Sequence, residues 1–278
     1  MTLSQPPTVL TLPPTALLAS RGFASLALAF FKYDDLPQTT ENLDLSYFEE
    51  AVEVLLAVPG VIPDRCGAVA NSRTGDILLT MATLLPAVKA VVGINCSTFA
   101  IESGITYRDK VIKQGLDLEQ LSFRQTETGS WIASFQEYFT EDNPAMIHVE
   151  EADEDTHFLL VAGEDDSWGF QHSLAPFQER MLNHNKHNFE TVLYPGTGHL
   201  IEPPYNAFIK QSFHRHSPTK QHSPKGIIMQ WGGEAQSTCT AQEDLWQRMR
   251  IFLMNHVQNE SPWYQHHLTH YTTKTPSN

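Results

Sequence analysis

Short apolar runs alternate with longer segments of helical period, and this pattern constrains the chain more than any other feature. Phe23–Phe30, entered through the Arg21-Gly22 turn, reads as a buried strand, as do Gly67–Ala70, Ala90–Ile94, Phe158–Val161 and Thr191–Tyr194. Between them, residues 44–57 place Leu45, Phe48, Val52 and Leu55 on one helical face, with Pro59-Gly60 as the stop. Further helices are expected over about 75–85 and 173–183, and an amphipathic one is traced by Leu245, Met249, Phe252, Leu253 and His256. The alternation predicts an α/β architecture, a mostly parallel sheet with helices on both faces. Residues 103–150 fit it poorly and read as an excursion over the sheet edge. His214–Lys225 reads as an exposed loop, Glu150–Asp155 as a solvated acidic approach to the fourth strand, and no internal repeat is found.

The 278 residues, 41% of them hydrophobic, suffice for a sizeable core. Eighteen basic residues against 32 acidic ones give a net charge of −14, which repels nucleic acid and anionic membranes. Cys66, Cys96 and Cys239 are too scattered for a disulfide scaffold or a zinc site, which points to a reducing compartment. The apolar N-terminus has no basic residue before Arg21 and is broken by Pro6, Pro7, Pro13 and Pro14, so it is not read as a signal peptide. No apolar run reaches the ~20 residues of a membrane span. The C-terminal Thr275–Asn278 is no peroxisomal signal, and the expected location is cytoplasmic.

Three residues then stand out by their order: Ser72 between a strand and a helix, Asp166 in the turn after a later strand, and His199 in the Gly-rich loop after the next. Ser, Asp and His in that order are what an α/β-hydrolase fold gathers at one sheet edge for nucleophilic catalysis. A hydroxyl needs an imidazole to take its proton, and the imidazole needs a carboxylate to fix its tautomer. Each residue also has an ordinary reading: Ser72 as a helix N-cap, Asp166 as a turn former, His199 as one of 13 histidines. Arg73, at a helix N-terminus, is a candidate oxyanion or substrate-binding residue or a partner in a surface salt bridge. His214, His216 and His222 have ligand chemistry, but the Pro, Lys and Arg between them read as a solvated loop, so no metal site is assigned.

Leu17–Ala24, Tyr33–Pro37, Tyr47–Ala51, Gly198–Tyr205 and Trp231–Glu234 together resemble the type I acyl-CoA thioesterases and bile acid-CoA:amino acid N-acyltransferases. The run His199-Leu200-Ile201-Glu202-Pro203-Pro204-Tyr205 is the most specific part. The resemblance covers residues 16–257, the C-terminal catalytic domain of that family. It implies an N-terminally truncated α/β-hydrolase domain preceded by a Pro-rich segment, 1–15, and followed by a flexible tail, 258–278. It also implies an acyl-CoA substrate, no cofactor, Ser72 as nucleophile, His199 as base, and Asp166, three residues after Gly163, as the acid.

Ser at the nucleophile position resembles the hydrolytic branch, whereas the conjugating branch carries Cys; Cys66 reads as a buried small hydrophobe. The family's Gly-x-Ser-x-Gly elbow has Ala70 and Thr74 at its flanks here, which is expected to relax the turn and mis-aim the Ser72 hydroxyl. The family's oxyanion loop has no match in Met1–Ala16, and lost preceding strands are expected to leave an open sheet edge. The alternatives are thus a weak or inactive acyl-CoA-binding relative and, less favoured, acyl transfer to an amino acid.

Overall fold

The computed structural model describes residues 1–3, 12–40, 43–101, 104–116, 122–140, 142–214 and 226–258. The chain runs β1 (Thr2–Leu3), α1 (Leu12–Ala19), β2 (Ala27–Leu28), β3 (Leu43–Asp44), α2 (Leu45–Leu56), β4 (Cys66–Asn71), α3 (Gly75–Leu84) and β5 (Val88–Ile94). It continues through β6 (Ile105–Tyr107), β7 (Lys110–Lys113), β8 (Ser122–Gln125) and β9 (Trp131–Ser134) to β10 (His157–Gly163) and α4 (Leu174–Asn183). It closes with β11 (Phe189–Tyr194), β12 (Gln211–His214), β13 (Ile227–Gln230) and α5 (Ala235–Val257).

The main sheet has the order β11-β10-β5-β4-β1-β2, and every pairing in it is parallel. Its central strands are apolar on both faces because helices cover both. Phe158, Leu160 and Ala162 of β10 join the core under α2, α3 and α4, while Leu159 and Val161 join the core under α1 and α5. This is the expected α/β-hydrolase fold. α2 begins where the Asp44 carboxylate accepts the Ser46 N–H at 2.7 Å, a cap that also holds the Asp44 carboxyl below its ordinary range.

Three expectations change. The strand read over Phe23–Phe30 shrinks to β2, where Ala27 and Leu28 pair with Thr2 and Leu3 of β1. β1 and β2 themselves lie beyond β4, where an open edge was expected. The stretch 103–150, read only as an excursion over the sheet edge, supplies strands to two smaller sheets in its described residues: β6 pairs with β3 and β7 with β6, while β8 and β9 join β12 and β13. The latter sheet leads through β13 into Trp231-Gly232-Gly233, a loop at the edge that carries the functional candidates. His216, His222 and the tail from residue 259 lie outside the described residues. Among the described residues no helix is long and apolar enough to cross a membrane, and no cluster of possible metal ligands is found.

Where α5 ends, the His256 ring stacks on His157 at the start of β10, with centroids 3.8 Å apart, and packs against Phe252. Burial pushes both imidazoles below the ordinary histidine range, His256 to about 4, helped by charge repulsion from His157; Asp155 partly opposes the shift at His157. A folded-state pKa below the unfolded value of about 6.5 means that the unfolded chain binds more protons between the two. The stability contributed by the neutral pair is therefore complete above pH 6.5 and is lost as pH falls toward 4. His256→Leu is expected to flatten this loss, so that urea unfolding at pH 7.5 and pH 5 differs less than in the wild type; an unchanged difference would contradict the assignment.

Candidate active site

β4 ends at Asn71, and the chain turns at once into a single 3₁₀ turn, Ser72–Thr74, and then α3. Ser72 sits in the left-handed region, with φ of +55°, a strained conformation for a residue with a side chain. The sharp reversal leaves Ser72 half-buried at the C-terminal edge of the sheet. Thr74 does not relax the turn as expected: it is buried, and its Oγ1 donates to the Asn71 carbonyl at 2.7 Å, bracing the reversal. The position that demands glycine is the next one. A Cβ on Gly75 would lie 2.3 Å from Cys96 Cβ and 2.9 Å from its Sγ, so α3 approaches the segment after β5 only because that atom is missing. The Ser97 N–H in that segment donates to the Ser72 carbonyl at 3.3 Å.

Asp166 and His199 come to the same edge from β10 and β11. His199 Nε2 lies 2.8 Å from Ser72 Oγ, and His199 Nδ1 lies 2.9 and 3.0 Å from the two oxygens of Asp166. A carboxylate only accepts, so Nδ1 carries the proton and Nε2 accepts the Ser72 hydroxyl. Asp166 and His199 are buried, whereas Asp165 beside them is exposed. Asp166 is aimed by its own turn: its N–H reaches the Gly163 carbonyl at 3.2 Å, and its Oδ1 accepts the Trp168 N–H at 2.8 Å. The structure thus brings Ser72, Asp166 and His199 together, with Arg73 half-buried in the turn that follows Ser72.

Residues that the sequence did not single out hold this arrangement. The His199 N–H donates to the Trp231 carbonyl at 2.9 Å, and its ring packs among Trp168, Phe170 and Trp231 with centroids 5.4–5.8 Å away. Trp231 is fixed in turn by its Nε1–H donating to Ser212 Oγ at 2.9 Å. Asn95, just past β5, hydrogen-bonds the backbone of both Gly163 and His199. The only sequence signal at Asn95 was a turn-forming residue after a strand; Trp231 stood in a family-like motif without a role. An apolar pocket of about 50 Å³ adjoins the site, lined by Val69, Asn71, Ile94, Ile201 and Trp246 among others, but neither Ser72 nor His199 lines it. Glu202, also on its wall, has its carboxyl pushed up by burial, which the neighbouring His199 would oppose only when protonated.

The cysteines offer no rival nucleophile at this edge. Burial and the nearby Asp76 push the Cys96 thiol up to about 12, burial raises Cys66, and Cys239 lies exposed on α5. His214, half-buried on β12, contacts Ser212 and Trp231. The close approach at the elbow gives a direct expectation: Gly75→Ala forces α3 off Cys96, costs about 1–3 kcal/mol of stability, and slows reaction of Ser72 with a fluorophosphonate. Chemical denaturation and labelling kinetics read the two effects; a variant as stable and as reactive as the wild type would refute the crowding argument.

The "BAAT / Acyl-CoA thioester hydrolase C terminal" family model matches residues 43–259. The mitochondrial acyl-coenzyme A thioesterase 2 of Mus musculus is 32% identical over 249 residues, 88% of this chain and 52% of that protein. The bile acid-CoA:amino acid N-acyltransferase of Mus musculus is 36% identical over 248 residues, 87% of this chain and 56% of that one. The chain thus spans about half the length of these curated relatives. Among solved structures, the α/β hydrolase GrgF from Penicillium sp. sh18 aligns with a TM-score of 0.46 at 15% identity, covering 72% of this chain and 81% of that one. With residues 43–259, most of the chain, matched by that model, the chain belongs to the family of C-terminal domains of acyl-CoA thioester hydrolases and bile acid-CoA:amino acid N-acyltransferases.

Proposed function

We propose that this chain hydrolyses acyl-CoA thioesters through Ser72, His199 and Asp166. The observation that carries the reading is the continuous hydrogen-bonded series from Ser72 Oγ through His199 to Asp166, at 2.8 and 2.9 Å, on a left-handed serine. Ser72 Oγ attacks the thioester carbonyl while its proton passes to His199 Nε2, and Asp166 holds Nδ1–H and stabilises the imidazolium. Collapse of the tetrahedral intermediate breaks the C–S bond, and His199 returns the proton to the departing CoA thiolate. Water then attacks the acyl-serine, gives its proton to His199, and releases the fatty acid as Ser72 recovers its own.

The Arg73 N–H, the amide after the nucleophile, is assigned as one oxyanion donor, by its position alone. Residues 4–11, within the stretch where the family's oxyanion loop finds no match, lie outside the described residues. No cofactor has a role in this scheme, because CoA arrives as part of the substrate.

Acyl transfer to an amino acid is the second reading, favoured by the 36% identity to the bile acid-CoA:amino acid N-acyltransferase. Both are tested by following free CoA thiol from short, medium and long acyl-CoAs, with and without glycine or taurine. Hydrolysis predicts thiol and free fatty acid in equal amounts whether or not the amino acid is present; an acyl amide as product would establish transfer. Ser72→Ala and His199→Ala are expected to lower turnover about 10⁴-fold or more, and Asp166→Asn about 10⁴-fold. Folded wild-type protein that releases no thiol from any of these substrates would overturn the reading and favour an acyl-CoA-binding relative.

A further inference from the structure

We propose that Asn95 is a positioning residue whose side-chain amide clamps the loop carrying His199 to the strand end carrying Asp166, and so keeps Nε2 within reach of the Ser72 hydroxyl. The inference rests on the reading of these three residues given above. Asn95 is 1% exposed and left-handed, with φ of +44°, and its own N–H donates to the Val161 carbonyl of β10 at 2.8 Å. Its Nδ2 donates to the His199 carbonyl at 2.6 Å and to the Gly198 carbonyl at 3.2 Å. Its Oδ1 accepts the Gly163 N–H at 2.8 Å.

Gly163 is the residue whose carbonyl accepts the Asp166 N–H, so a single amide joins the base residue to the start of the acid's turn. With the Trp231 carbonyl holding its N–H and Asn95 holding its C=O, the backbone of His199 is pinned on both sides. Its ring is confined by Trp168, Phe170 and Trp231. Asparagine suits the position on three counts: two donors, one acceptor, and tolerance of the left-handed region. Asn95 acts through the backbone of His199 and takes no proton in the reaction.

Two substitutions in the full chain test this. Asn95→Gly removes the amide while keeping the left-handed backbone free of strain, and Asn95→Asp keeps the shape but can donate only while its carboxyl is protonated. Labelling of Ser72 by a fluorophosphonate is resolved into KI and kinact. The downfield proton resonance of His199 Nδ1–H, read on the same samples, reports the His199–Asp166 bond without any turnover. Loss of register of the order of 1 Å lowers kinact about 100-fold in Asn95→Gly with KI unchanged, and the resonance moves upfield or is lost to exchange. In Asn95→Asp, reactivity declines as pH rises, because ionisation sets a carboxylate against the carbonyls of Gly198 and His199. Circular dichroism confirms that each sample is folded across that range.

A folded Asn95→Gly with wild-type kinact and an unmoved resonance overturns the proposal, as does Asn95→Asp with the pH profile of the wild type. The latter pair decides the matter if Asn95→Gly does not fold. A wild type that labels rapidly yet ignores acyl-CoA sinks the substrate reading alone, and the Asn95 comparison still supports or overturns the clamp. If the wild type does not label, the catalytic reading of Ser72 falls, and the resonance decides whether Asn95 holds the base against the acid.

Discussion

Every strand of the main sheet points the same way, and that single constraint delivers each following loop to one edge. Ser72 and His199 are 127 residues apart, yet β4 and β11 end on the same side, separated only by β5 and β10. An edge built this way also collects backbone N–H and C=O groups that no ladder satisfies, and burying them unpaired is costly. The chain answers with side chains from neighbouring strand ends and with the carbonyl of Trp231. The hydrogen bonds that satisfy this edge are therefore the same ones that orient its functional groups.

The elbow shows how strain and packing are coupled there. A left-handed serine costs on the order of 1–3 kcal/mol and persists only where its surroundings over-determine it. Here the restraint comes from two directions: Thr74 Oγ1 holds the preceding carbonyl, and the Ser97 N–H holds the carbonyl of Ser72 itself. The second depends on α3 lying close against the segment after β5, which the absent side chain of Gly75 permits. The requirement for glycine has moved one residue along from the expected pattern, and a buried threonine at position 74 serves as a brace.

What the sequence made legible follows from burial. β4, β5, β10 and β11 read as strands because continuous apolar runs between helical segments have few other uses, and α5 read as a helix from its spacing of Leu245, Met249 and Phe252. α1 was missed because Pro13 and Pro14 suggest an irregular segment, although proline is tolerated in a first helical turn. β12 and β13, which pair with each other, were missed because each is only four residues long, and the contact of β13 with β9 lies about a hundred residues earlier in the chain. Ser72, Asp166 and His199 were picked out as candidates because the α/β-hydrolase fold gathers Ser, Asp and His in that chain order, and the family resemblance chose Asp166 over Asp165. Asn95 was not, since its partner His199 is 104 residues away and a single asparagine after a strand has the same appearance in any turn.

Charge imposes the opposing demand on the proposed substrate. CoA carries several phosphate charges, and a chain of net charge −14 repels it as a whole. Such repulsion acts on the nucleotide end of the substrate, is screened beyond roughly 8–10 Å at ordinary ionic strength, and scarcely touches a thioester carbonyl set among buried groups. For the proposed substrate, the energy that lowers the barrier has to act near the reacting carbon. At this edge His199 and Asp166 are buried, aromatic rings pack around the His199 ring, and the backbone of His199 is held from both sides. Dipoles fixed in place before the substrate arrives need no reorganisation as charge develops, so a preorganised strand edge can serve an anionic substrate even on an anionic protein.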